Sequence, residues 1–302
     1  MPKATVRRGR AFAPAHVSGA FSPRLAARDP RARGSIGAGV VLDAGVTATA
    51  TWSPGRRAVT VAADVPGPLS ISTVVAEHLL APRPGRLTVR LQHRLPVGQG
   101  FGSSAAGALA TGLAVVAALG LPRSKAIEVA HLADLYGGGG LGGVAAALGG
   151  GLEVRVRAGI PPWGRVERRP VDERLLVATL GRPIPSPRVL GDRRLSARFE
   201  AAEGPLLELG ARPSWERFWD VAERFTDEVG LADRPLREAL RGLRRRRARA
   251  AQAMFGRSLF ARPPQGPEGA EVRRWLAARA TGLWELSVAA RGARRLPLPR
   301  RA

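Results

Sequence analysis

The feature that most constrains this chain is a run without charge. From Leu95 to Pro122 the sequence reads LPVGQGFGSSAAGALATGLAVVAALGLP, with no Asp, Glu, Lys or Arg. Its length would span a bilayer. Its composition argues otherwise, because glycines and serines crowd its start and the rest is Ala- and Gly-rich. A helix buried in a globular core, entered through a glycine loop, accounts for it better. Gly98, Gly100 and Gly102 immediately precede Ser103 and Ser104, and a helix is expected from Ser104 to about Leu119, stopped by Gly120 and Pro122. Glycine allows positive φ and close approach of a ligand to the backbone. The free N–H groups at the helix start suit an anion, phosphate above all. GxxxxGK[ST] is absent and GxGxxG is off by one, so neither common nucleotide fingerprint applies. Taken on residues alone, a phosphate site and a glycine-capped core helix are equally good readings.

The surrounding pattern is mixed. GAGVVLDAGVTATATW, AVTVAADV and RLTVRLQHRL read as strands in the first third. STVVAEHLLA reads as a helix capped by Ser72 or Thr73, and PRSKAIEVAHLADLY as a helix capped by Ser124. VAAAL forms a short helix within a glycine run, and GGLEVRVRAG and RLLVATLG are strands. LLELGARPSWERFWDVAERFTDEVGL and RPLREALRGLRRRRARAAQAMFG read as amphipathic helices. A mixture of strands and helices without regular βα alternation argues for an α+β chain. The Pro-rich stretch Ile160–Pro170 marks the expected boundary between a domain of residues 1–165 and one of residues 166–302.

Composition narrows the chemistry. No cysteine is present, which removes disulfides, thiolate metal sites and a cysteine nucleophile and fits a reducing interior. His16, His78, His93 and His131 lack zinc-site spacing. The formal charge is +24, carried by arginine with lysine only at Lys3 and Lys125, and asparagine is absent. GC-rich codon usage is the leading explanation of this balance, and a thermophilic origin would also favour the loss of Asn and Cys. The basic residues are spread along the chain without interleaved aromatics, which argues against nucleic-acid binding. No apolar segment follows the basic start MPKATVRRGR, so no signal peptide is expected and the chain reads as cytoplasmic.

PVGQGFGSSAA (Pro96–Ala106) resembles the PxxxGLGSSAA signature of the GHMP kinases, the superfamily of galactokinase, homoserine kinase and mevalonate kinase, with Phe101 in place of the customary leucine. AFAPAHVSGAFSP (Ala11–Pro23), RGSIGAGVVLDAGVTATA (Arg33–Ala50) and GIPPWGRVE (Gly159–Glu167) resemble its archaeal pantoate kinase branch. AMFGRSLFA (Ala253–Ala261) is similar to that family's C-terminal glycine motif. The resemblance implies a GHMP kinase fold, with an N-terminal ribosomal-protein-S5-domain-2-like ATP-binding domain and a C-terminal ferredoxin-like α/β domain. It implies MgATP-dependent phosphorylation of pantoate in coenzyme A biosynthesis, and a homodimer. Alternatives are a kinase for homoserine or mevalonate, or an impaired homologue that only binds nucleotide or pantoate. Gly98, Gly100, Gly102, Ser103, Ser104, Ala105 and Gly256 would cradle ATP. Ser104 and Asp134 would meet Mg²⁺, and His16, Ser18 and Arg188 would hold the substrate.

The family segment E-x-x-x-G-T-G-L-G-D-V matches DLYGGGGLGGV here. Asp134 replaces the glutamate, Gly139 the threonine and Gly143 the aspartate that the family places near the attacking hydroxyl. Glycine can accept no proton. Loss of a base leaves positioning and charge stabilisation intact, homoserine kinases being a similar case, and Asp43 is the nearest replacement acid by family position.

Overall fold

The computed structural model describes residues 5–183, 193–254 and 256–299. Two long strands, β1 (Arg7–Arg24) and β2 (Gly34–Ser53), form an antiparallel hairpin that runs through the molecule. β3 (Ala58–Ala63), α1 (Ser70–Leu80) and β4 (Arg86–His93) follow, then α2 (Ser103–Leu119), α3 (Arg123–Tyr136), α4 (Gly143–Ala147), β5 (Leu152–Arg157) and β6 (Arg165–Arg169). β4 pairs with β2 antiparallel and with β3 parallel, and β5 pairs with the outer half of β2 and with β6. The second part holds β7 (Arg174–Thr179), α5 (Arg193–Ala201), α6 (Gly204–Ala211), α7 (Trp215–Val229), α8 (Arg234–Arg245), β8 (Arg249–Gln252), β9 (Ser258–Arg262), α9 (Gly266–Ala277) and β10 (Gly282–Ser287). Its sheet is antiparallel, ordered β10-β7-β9-β8. The chain then returns, and β11 (Arg294–Arg295) pairs with β1 at Ala11 and Phe12. This is the expected α+β architecture.

The charge-free helix is central. α2 is buried almost throughout and packs on β1, β2, α1 and α3. Small side chains bring backbones together: a Cβ at Gly9 would overlap the Ala114 carbonyl, and one at Gly112 would lie 3.0 Å from that of Ala126. A charged side chain here would be buried without a partner, which is why none occurs. Among the described residues no helix is long and apolar enough to cross a membrane. A second apolar cluster joins the two sheets, with Val17, Val40 and Phe101 meeting Val177, Phe218 and Phe260.

Local signals misplaced some ends. α1 begins at Ser70, so Ser72 and Thr73 lie inside it, and the Thr73 hydroxyl donates back to Leu69 O at 2.9 Å instead of capping. α3 begins at Arg123 after Pro122, and Ser124 makes no cap. The first expected amphipathic helix breaks into α6 and α7, because Ser214 caps α7 by accepting from the Arg217 N–H. The second ends at Arg245, and its arginine run crosses a turn with positive φ at Arg247 into β8. Strand pairing with β9 overrides helical propensity there.

Candidate active site

The glycine loop is built for close approach. Gly98, Gly100 and Gly102 have φ of 79°, 76° and 64°, which excludes other residues without strain. Gly102 is the residue before α2 and no side chain caps the helix. The Ser103 hydroxyl donates to Pro96 O at 3.1 Å and the Ser104 hydroxyl to Asp134 Oδ1 at 2.9 Å, so neither serine occupies the helix N–H groups. Those donors are left for an anion. The second sheet braces the loop from behind. Ser258 Oγ donates to Gln99 O, and Gln99 Nε2 donates to Gly181 O at 2.8 Å.

One cleft gathers most of the sequence candidates. His16, Ser18, Gly98, Gly100, Gly102, Ser103, Ser104, Ala105, Asp134 and Gly143 all line it. Gly256 does not; it backs the loop, where a Cβ would overlap the Gln99 carbonyl. Asp43 also lies elsewhere, exposed on β2, accepting from the Ser287 N–H at 3.2 Å. Arg188 is outside the described residues.

The glycine run 137–151 supplies the cleft floor with Gly139, Gly140, Gly142 and Gly143. A Cβ at Gly139 would strike the Asp134 carboxylate and lie 2.5 Å from Ser104 Oγ, so this glycine lets that pair meet. Burial pushes the Asp134 carboxyl up to about 7, against the Ser104 hydrogen bond, which works to lower it. Its folded state therefore holds a proton that the unfolded chain, titrating near 3.9, gives up. The stability from that proton is present at low pH and lost as pH rises through about 7. In metal-free protein, the fall in thermal midpoint between pH 4.5 and 8 is expected to flatten in Asp134→Asn.

Gly143 opens α4 against the first turn of α2, where a Cβ would stand 2.6 Å from that of Ala105. Gly143→Asp alone is expected to destabilise by about 1–3 kcal/mol, as overpacking does, and not to raise turnover. Adding Ala105→Gly relieves the collision. Chemical denaturation of the single and double variants checks this.

One charged residue of the cleft, Arg155, and the buried acid behind it, Glu153, escaped the sequence reading. β5 carries Glu153, fully buried, and Arg155, 2% exposed. Glu153 Oε1 bonds His16 Nε2 at 2.7 Å and accepts from Arg155 Nη1. Arg155 Nη2 reaches Ser18 Oγ at 3.5 Å, while Arg155 Nε and Glu153 Oε2 have no partner among the described residues. Gly37 and Gly142 leave room for the guanidinium. Burial acts to raise the Glu153 carboxyl, but the Arg155 charge, together with the His16 hydrogen bond, outweighs it and holds it below the usual range. Burial lowers His16, which Glu153 only partly offsets. The signal was in LEVRVR: residues two apart in a strand share a face, so a strand buried on both faces placed two opposite charges side by side.

The cleft thus joins unspent backbone donors, hard oxygen donors and a buried cation. Residues 70–151 match the family model for the GHMP kinase N-terminal domain. Pantoate kinase of Thermococcus kodakarensis is 34% identical over 262 residues, covering 83% of this chain and 86% of that protein. The Methanospirillum hungatei pantoate kinase is 29% identical over 257 residues, 83% of this chain and 86% of that protein. A solved phosphotransferase related to the CoA biosynthesis pathway superposes with a TM-score of 0.84 at 30% identity, over 95% of this chain and 98% of its own. Leishmania major mevalonate kinase shares the fold, with a TM-score of 0.68 at 16% identity over 96% of this chain and 99% of its own. Similarity at this level over this length, with the glycine loop in place, means that the chain belongs to the pantoate kinase family of the GHMP kinases.

Proposed function

We propose that the protein transfers the γ-phosphoryl group of ATP to the primary hydroxyl of pantoate. The observation that carries this is one cleft holding both an uncapped helix N-terminus behind a glycine loop and a buried arginine. A phosphate and a carboxylate are the two anions such a pair would accept. Gly98, Gly100, Gly102, Ser103, Ser104 and Ala105 cradle the phosphates through backbone N–H groups. Arg155 presents its guanidinium to the pantoate carboxylate, a pairing that planar geometry favours, and Ser18 supplies a hydroxyl beside it.

Ser104 and Asp134 fit a magnesium ion. Both offer oxygen, and Mg²⁺ in phosphoryl-transfer sites takes one or two carboxylates with the rest of its shell from phosphates and water. The raised Asp134 carboxyl supports this, since a buried acid without a cation is the group such an ion would relieve. When bound, Mg²⁺ neutralises charge on the phosphates. The chain's residues provide positioning: the loop fixes the donor, and Arg155 with Ser18 orients the acceptor.

ADP release with pantoate, homoserine and mevalonate as separate acceptors tests the reading. Turnover is expected with pantoate at least 100-fold above the other two: mevalonate sets its carboxylate one carbon farther from the primary hydroxyl, and homoserine, with the same spacing, brings an ammonium group towards the Arg155 guanidinium. Folded protein that binds no ATP by calorimetry, or that prefers another acceptor, overturns it.

A further inference from the structure

The cleft lacks the aspartate that the family pattern places beside the attacking hydroxyl. Asp43 lies away from the cleft, facing Ser287, and Asp134, which lines it, accepts from Ser104. A histidine with a carboxylate behind it remains. We propose that His16 takes the proton from the acceptor hydroxyl, with Glu153 as its positioning residue. This rests on the kinase reading above and names the base that reading leaves open.

The geometry is that of a base held by an orienting acid. The His16 backbone N–H donates to Phe101 O at 3.1 Å, which ties β1 to the phosphate loop. A Cβ at Gly102 would lie 3.1 Å from His16 O, so His16 sits directly beside the start of α2. Its ring bonds Glu153, Nε2 to Oε1 at 2.7 Å, through space that Gly39 leaves because a Cβ there would strike Nε2. With Glu153 ionised, Nε2 carries the hydrogen and donates it. Nδ1 then keeps its lone pair, and it has no hydrogen bond among the described residues. The histidine lines the cleft, which is where a hydroxyl aligned with a phosphate on the loop would lie.

The step balances. The hydroxyl proton passes to Nδ1 as the oxygen forms its bond to the γ-phosphorus. The bond from that phosphorus to the bridging oxygen breaks, and its electron pair leaves on ADP. Glu153 neutralises the imidazolium, which returns its proton to solvent after product release. The charged groups facing His16 are Glu153 and Arg155 from β5, Arg168 from β6 and Asp134 from across the cleft. β2 offers only Gly39, and α7 approaches β1 through Phe218 and Ala222. Burial keeps the ring neutral near pH 7, ready to accept.

The test is His16→Gln, which retains an N–H donor for Glu153 but no basic nitrogen. With saturating MgATP, kcat is expected to fall by about 100-fold or more. Pantoate affinity, measured calorimetrically with a non-hydrolysable ATP analogue, is expected to stay within about threefold. The wild-type kcat profile should fall on the acid side of the usual histidine range, and that limb should vanish in the variant. A variant kcat within about threefold of wild type overturns the proposal. So does a parallel loss of pantoate binding, which would make His16 a substrate-holding residue. If His16→Gln does not fold, Glu153→Gln decides: the acid limb moves to lower pH if His16 is the base, and an unmoved limb overturns it. Wild-type protein that turns over no pantoate sinks the kinase reading first, a result distinct from an active enzyme indifferent to His16.

Discussion

Arg155→Leu is expected to cost about 3–5 kcal/mol of stability, the range for breaking one side of a buried ion pair. Glu153 is fully enclosed, and without the guanidinium its charge is left with a histidine that burial keeps neutral and the more distant Arg168. The carboxyl must then take up a proton or draw in water. Pairing the change with Glu153→Leu is expected to recover most of the loss, because two apolar side chains of similar size leave no charge behind. Pantoate binding should behave differently. It is expected to weaken by about 100-fold in the single variant, in the range for truncating a buried charged contact, and to stay weak in the double. Urea unfolding and calorimetric titration of the same variants separate the two effects. Equal recovery of both would mean that the arginine serves only the fold.

Gly100→Ala is the second large effect. φ at Gly100 is 76°, and an added Cβ would stand 2.5 Å from Met254 O and 2.7 Å from Ala253 O. Both neighbours are backbone, so no rotamer change can relieve the contact. Either the phosphate loop shifts towards the cleft or the β8–β9 connection backs away from it. A displacement near 1 Å is enough to lose about 100-fold in catalysis through misplaced groups. The expected result is a kcat/KM for ATP lower by at least that factor, with the fold retained by circular dichroism. An enzyme within about fivefold of wild type would mean that the brace between loop and second sheet does not set the loop's position.

The sequence made the loop and α2 legible because glycine punctuation and absence of charge are both local. Gly102, Ser103 and the start of the helix fell within one residue of their observed places. The site's electrostatics were not local. Glu153 and Arg155 lie more than a hundred residues from His16 and Ser18, and only the pairing of β2 with both β1 and β5 brings them together. The arginine run after Leu243 misled for a related reason. Its first half completes α8, but Ala250 and Ala251 are claimed by β9, and pairing partners cannot be read from composition. Ser72 and Ser124 have the chemistry of caps. Helices that start at Ser70 and Arg123, the latter entered through Pro122, take their first turn from backbone geometry instead.

The return of β11 to β1 sets an order of assembly. β1 leaves the ribosome early, but its partner at Ala11 and Phe12 is made only after the whole of the second sheet. The half of the molecule that begins first is therefore finished last. Until then β1 keeps a bare edge there, open to pairing with another chain. Chains stalled before Arg294 would keep that edge open and are expected to aggregate more readily than the full chain.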